Sequence, residues 1–104
     1  MSTAMVYVTA GSRTEAATIG RAIVEERLAA CANVVAGITS YYWWEGAVQE
    51  DSEASLILKT REELVEKVIS RVKELHSYDC PCVVSFPIVT GNHDFLNWIF
   101  KETS

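Results

Sequence analysis

Three residues in the last third of the chain, His76, Cys80 and Cys82, have side chains that could hold a soft metal ion. One imidazole and two thiolates suit Cu(I) or Zn(II). In an extended segment a Cys-x-Cys pair points both thiols to one face. A fourth ligand would have to come from His93, Asp94 or another subunit. Structural zinc sites favour Cys pairs separated by about two to four residues, and this chain offers one irregular pair. Cys31, in an Ala-rich stretch, reads as a small buried hydrophobe. Three cysteines is an odd number for a domain that needs no staple, so reduced thiols and a cytoplasmic setting are the simpler expectation.

Other chemistry finds little support. Cys, His and Asp are all present, but no Gly-x-Ser-x-Gly elbow accompanies them. The carboxylate pairs Glu50-Asp51 and Glu62-Glu63 read as solvated surface. No catalytic residue is expected. Gly11-Ser12-Arg13-Thr14 could offer free N–H groups to an anion, yet no second Gly pattern builds a phosphate loop. A turn with Thr14 as helix N-cap explains that segment as well. The net charge is −5 and the nine Lys and Arg residues are scattered, so nucleic acid is not an expected partner. No apolar run approaches the ~18–20 residues of a membrane helix. The start, Met-Ser-Thr-Ala-Met-Val-Tyr-Val, lacks the basic region of a signal peptide. A membrane partner is not expected either.

The elements that must position these residues can be read from periodicity. With 104 residues, 49% of them apolar, there is room for a single domain, residues 1–104, with one core. Residues 4–10 form a β-rich run ending at Gly11-Ser12. A helix follows from Thr14 to about Ala30, with Ala17, Gly20, Val24 and Leu28 on one face and Ile23 widening it. Ala32–Trp44 and Ala47–Thr60 read as strands joined by the Glu45-Gly46 turn. In the second, Ala54, Leu56 and Leu58 face one way and Glu53, Ser55, Ile57 and Lys59 the other. Leu64, Val65, Val68, Ile69, Val72 and Leu75 mark a second helix. A loop at 76–81 leads to a continuous apolar strand, Cys82–Val89, of the buried kind. After Gly91-Asn92 a short helix should turn Phe95, Leu96, Trp98, Ile99 and Phe100 inward. The order β-α-β-β-α-β plus a terminal helix predicts an α+β, ferredoxin-like split βαβ fold.

The central hairpin is too long for its domain. A strand of about 13 residues spans roughly 40 Å, against a radius of gyration of about 13 Å for a chain of this size. Its tip carries Tyr41, Tyr42, Trp43 and Trp44. Alternation sets Tyr42 and Trp44 on one face and Tyr41 and Trp43 on the other, so one buried face cannot hide all four. Pairing with further copies of the chain in a closed ring would cover them.

These residues together resemble the CutA family. Leu28-Ala29-Ala30-Cys31-Ala32-Asn33-Val34 resembles its signature after the first helix, and Ser40-Tyr41-Tyr42-Trp43-Trp44-Glu45-Gly46 its hairpin tip. Glu53 with Leu58-Lys59-Thr60, then His76, Tyr78 and Pro81, and finally Pro87-Ile88, Gly91, Leu96 and Trp98 extend the likeness over about residues 4–102. The resemblance implies a non-enzymatic, cytoplasmic homotrimer, similar in architecture to the PII signalling proteins and linked to tolerance of divalent cations. Copper binding has been proposed for the family, so copper or another divalent cation is the metal it brings into view. The copper ligands proposed in some members fall here on Val8, Leu75 and His76, which keeps one of them; Ser77 and Cys82 also depart from the family pattern. Tyr42, Glu53, Lys59, His76 and Tyr78 match recurring family positions. If they converge between subunits they make a polar pocket, either a ligand site or a satisfied ion-pair network, with Glu53 the expected partner of Lys59. A metal buffer built on His76, Cys80 and Cys82, and a trimeric scaffold for another protein, are the alternative functions.

Overall fold

The computed structural model describes residues 2–104, and its elements follow the expected order. They are β1 (Thr3–Ala10), α1 (Arg13–Glu25), β2 (Cys31–Trp44), β3 (Ala47–Arg61), α2 (Val65–Leu75), β4 (Val83–Ile88) and α3 (His93–Glu102), with a 3₁₀ turn at Glu62–Leu64 before α2. Every strand pair is antiparallel, and the sheet order is β2-β3-β1-β4. This is the ferredoxin-like α+β arrangement.

One face of the sheet carries the core. Val6 and Val8 of β1 and Ala54, Leu56 and Leu58 of β3 are buried in a cluster with Ile19 and Ile23 of α1 and Val68 and Val72 of α2. Each such Leu or Ile contributes about 2 kcal/mol by leaving water. Close approach of α1 depends on Gly20. A Cβ there would stand 2.7 Å from Leu56 Cδ1 and 3.2 Å from Ala32 Cβ.

Three expectations are corrected. The buried stripe of α1 keeps the expected Gly20 and Ile23 but is completed by Ala16 and Ile19, while Ala17 and Val24 are half-buried and Leu28 packs at the edge of the core. The helix ends at Glu25 rather than near Ala30 because Arg27 adopts a left-handed φ of 63°. The Leu28 and Arg27 N–H groups then donate to the Ile23 and Val24 carbonyls, the paired bonds of a Schellman stop. Its N-cap is Ser12, whose Oγ accepts the Glu15 N–H at 3.1 Å, and not Thr14. Next, β4 is not a buried strand. It pairs with β1 alone at the sheet edge, and Val84 and Phe86 stay 44% and 49% exposed on the face that no helix covers. Finally, α3 buries Ile99 fully, while Phe95 and Trp98 stack on one another at its outer side with ring centroids 5.5 Å apart.

β2 and β3, at 14 and 15 residues, form a ribbon that outruns the core and draws the molecule out to 44 Å by 25 by 22 Å. Glu45 and Gly46 close it with φ of 52° and 79°, the left-handed pair of a type I′ turn. A register shift between Val35 and Ile38 interrupts the ladder. Gly37 takes a φ of 77° there, with open space around it. Three residues of β2 advance against two of β3, because Val35 pairs with Ser55 and Ile38 with Glu53. That is a β-bulge.

Candidate functional site

The loop after α2 is pinned by His76, which ends the helix with extended backbone. Its side chain is fully buried. Nδ1 accepts the Tyr78 N–H at 3.1 Å, so Nε2 carries the proton and donates it to the Thr9 carbonyl at 2.7 Å. Both ring nitrogens are therefore engaged, and no lone pair is left for a metal. Cys80 and Cys82 are exposed free thiols. Among the described residues no group of three or more His, Cys, Asp or Glu side chains is arranged to hold a metal ion. Within one chain, then, His76, Cys80 and Cys82 do not assemble as the expected triad. Cys31 is half-buried in β2 rather than fully inside.

Glu15 is the second fastener of this loop. Its Oε2 accepts the Ser77 N–H at 2.8 Å and its Oε1 the Gly11 N–H at 3.3 Å. Partial burial pushes its carboxyl upward, but the bonds from Ser77 and Gly11 outweigh that and hold it below the usual carboxylate value of 4.5. Sequence reasoning passed over Glu15, although Ser12-x-x-Glu15 is a capping-box pattern.

Between this loop and the outer half of the ribbon lies a cavity of about 450 Å³. Ser40, Tyr42 and Trp44 of β2 form one wall, Glu53 of β3 and Thr9 of β1 the floor, and Tyr78, Asp79, Cys80 and Cys82 the other wall. The Tyr78 hydroxyl donates to Glu53 Oε2 at 2.8 Å. Burial and the neighbouring Glu53 carboxylate push the Tyr78 phenol up to about 12. The Tyr42 hydroxyl donates to Asp51, and this bond raises its phenol above the ordinary range. His76 stands behind Tyr78, ring centroids 4.7 Å apart, as a support and not as part of the wall.

The bulge decides which aromatics reach this cavity. Before it, Ala32 and Val34 pair with Leu58 and Leu56 and share their core-facing side. After it the parity is reversed, so Ile38, Ser40, Tyr42 and Trp44 share the face of Glu53 and Asp51. Tyr42 and Trp44 thus join Glu53 at the cavity, while Tyr41 and Trp43 look away, 67% and 73% exposed.

Of the five residues expected to form a polar pocket, Tyr42, Glu53 and Tyr78 converge, with His76 adjacent. Lys59 does not join them. It sits six residues along β3, about 20 Å away, beside Cys31, and reaches Asn33 Oδ1 at 2.5 Å. Glu53 takes its hydrogen bond from Tyr78 instead. Asp51 and Asp79 were missed because an acidic residue on an outer strand segment or in a loop looks like ordinary surface in a sequence. No helix among the described residues is long and apolar enough to cross a membrane.

Comparison with known proteins places this geometry. The family model described as CutA1 divalent ion tolerance protein matches residues 4–102. The divalent-cation tolerance protein CutA of Thermus thermophilus is 46% identical over 99 residues, covering 95% of this chain and 96% of that protein. The chloroplastic CutA 1 of rice is also 46% identical over 99 residues, but the chain spans only 56% of its length. The crystal structure of rice CutA1 superposes with a TM-score of 0.97 at 43% identity, covering 100% of this chain and 95% of that one. The structure of the periplasmic divalent cation tolerance protein CutA of Archaeoglobus fulgidus superposes with a TM-score of 0.95 at 39% identity, covering 98% of this chain and 99% of that one. The fold, the ribbon and the sequence all lead to one assignment: this chain belongs to the CutA1 family of divalent ion tolerance proteins.

Proposed function

We propose that this protein is a non-enzymatic, homotrimeric CutA-type module of the cellular response to divalent cations, copper among them, which works by binding a ligand in the pocket between the loop at 76–82 and the ribbon. The observation that carries this reading is the family match over residues 4–102, joined to relatives named for divalent-cation tolerance. A PII-like ring is supported by what a single copy leaves open. Both outer strands, β2 and β4, have a free edge, and Val35, Val84 and Phe86 line a bare sheet face. Trp43 and Tyr41 are the most exposed aromatics of the ribbon. Closed rings remove such edges and bury such rings. Three free thiols fit the reducing cytoplasm.

The test has two arms. Sedimentation of the purified protein at micromolar concentration should give three times the chain mass, and a stable monomer would refute the ring. A host lacking its own CutA should regain growth in elevated copper when this chain is supplied, and unchanged sensitivity would refute the response role.

A further inference from the structure

The His76 Nδ1 atom has two claimants. It accepts the Tyr78 N–H at 3.1 Å, and Glu15 Oε2 lies 3.6 Å from it, just outside hydrogen-bond range. The other ring nitrogen is committed, since Nε2 donates to the Thr9 carbonyl at 2.7 Å. The imidazole is fully enclosed by its own chain, so a neighbouring copy adds no contact to it. In the neutral ring the Nδ1 lone pair takes the Tyr78 N–H. Glu15 is then left to the Ser77 N–H at 2.8 Å and the Gly11 N–H at 3.3 Å. A proton on Nδ1 reverses the arrangement. Two N–H donors then face each other, and the Tyr78 amide loses its acceptor. Glu15 Oε2 becomes the acceptor at hand, and a shift of under about 1 Å brings it within bonding distance.

The surroundings suit that exchange. Partial burial raises the Glu15 carboxyl, but the bonds from Ser77 and Gly11 hold it below 4.5, so it is ionised wherever an imidazole titrates. The Tyr78 phenol, ring centroids 4.7 Å away, is pushed up to about 12 and stays neutral there. Beyond it, Glu53 of β3 accepts the Tyr78 hydroxyl, and Tyr42 of β2 donates to Asp51. Glu74 of α2 faces Arg71, and Asp79, Cys80 and Cys82 line the cavity that the imidazole does not reach. Tyr78 transmits the change. It is strung between two anchors, its amide on His76 and its hydroxyl on Glu53, and forms a wall of the pocket.

We infer that His76 is an acid-operated latch on the pocket wall: a solvent proton taken up at Nδ1 moves that nitrogen's bond from the Tyr78 amide to Glu15 and loosens the loop that carries Tyr78. The bearing of the latch on a ligand rests on reading the chain as a ligand-binding module. The latch itself needs neither ligand nor metal.

The experiment follows the full-length protein, in its native oligomeric state, by NMR between about pH 7.5 and 5. It reads the imidazole nitrogen shifts and the hydrogen exchange of the Tyr78 amide, corrected for the intrinsic pH dependence of exchange. His93, exposed at the start of α3 and the only other histidine, is the internal reference. His76 should gain its proton on Nδ1, and at the same midpoint the protection of the Tyr78 amide should fall about tenfold, the equivalent of one hydrogen bond. Glu15→Gln keeps an acceptor for Ser77 but removes the charge, and should move both midpoints together to lower pH. His76→Asn keeps an acceptor that cannot be charged, and should leave Tyr78 protection flat. If that variant does not fold, the parent and Glu15→Gln decide. Flat Tyr78 protection in the parent, a fall that tracks His93 instead of His76, or an unmoved midpoint in Glu15→Gln would overturn the latch. So would shifts of the His76 ring on adding Zn²⁺ at neutral pH that Cys80→Ser abolishes, since Nδ1 would then be a metal ligand. Because this assay reads neither growth in copper nor assembly, its failure leaves the response role standing, and failure of that role leaves the latch standing.

Discussion

The two halves of the β2–β3 ribbon are built alike in backbone and used in opposite ways. In the inner half, Leu56 and Leu58 are fully buried under α1 and α2, and the chain itself supplies everything they touch. In the outer half, Tyr41, Trp43, Trp44 and Val48 are all more than half exposed, although each carries a large apolar surface. The difference shows that side-chain hydrophobicity does not fix burial along a strand. What fixes it is whether a covering layer exists at that height, and the two long helices cover only the inner half.

This contrast can be broken by substitution. Leu56→Ala removes a buried side chain that meets Gly20 and should cost about 3–4 kcal/mol, seen as a lower urea midpoint at every protein concentration. On the proposed ring, Trp43→Ala should lower the midpoint only in a concentration-dependent way. A concentration-independent loss for Trp43→Ala would show that the outer half is stabilised within its own chain. Gly20→Ala tests the same layer from the helix side. The added methyl would overlap Leu56 Cδ1, and the expected loss is about 1–3 kcal/mol in chemical denaturation.

Two smaller effects sharpen the picture around the site. Arg27→Gly relieves a left-handed residue at the end of α1 and should raise stability by about 1 kcal/mol; a loss would mean that the Arg27 bond to the Glu102 carbonyl outweighs the strain. Glu15→Gln should cost about 1 kcal/mol at neutral pH by weakening the bonds to Ser77 and Gly11. The folded carboxyl titrates below the unfolded one, so its contribution is complete above the unfolded value of 4.5 and fades as pH falls through the folded value. Urea melts of parent and variant should therefore converge once the pH lies below the folded value. A gap that persists in acid would assign the effect to packing instead of charge.

Much of the fold was legible because local patterns and tertiary use agreed. The alternation of Ala54, Leu56 and Leu58 and the stripe of α2 gave the sheet face and the helix that covers it. The face of α1 was misread because Gly20 and the alanines give little contrast between neighbouring rows, and small residues bury wherever the helix comes closest. β4 was misread because an apolar run looks the same whether its second face is covered by its own chain or by none. In the site, the Tyr42, Glu53 and Tyr78 grouping was visible through resemblance, while within one chain Lys59 stands six residues along β3 from Glu53 and reaches Asn33. Glu15 and His76 act through backbone partners that only three-dimensional placement reveals.

The extra residue near Gly37 also makes the ribbon a reading frame. Smoothing the bulge with Ala36 kept, so that Gly37 meets Glu53, would shift the outer register by one residue and turn Tyr41 and Trp43 toward the Glu53 face in place of Tyr42 and Trp44. Since the tip is spelled Tyr-Tyr-Trp-Trp, either frame offers one phenol and one indole on each side. A one-residue slip during evolution would therefore keep the same kinds of ring on both sides, and change only which of them meets the acids.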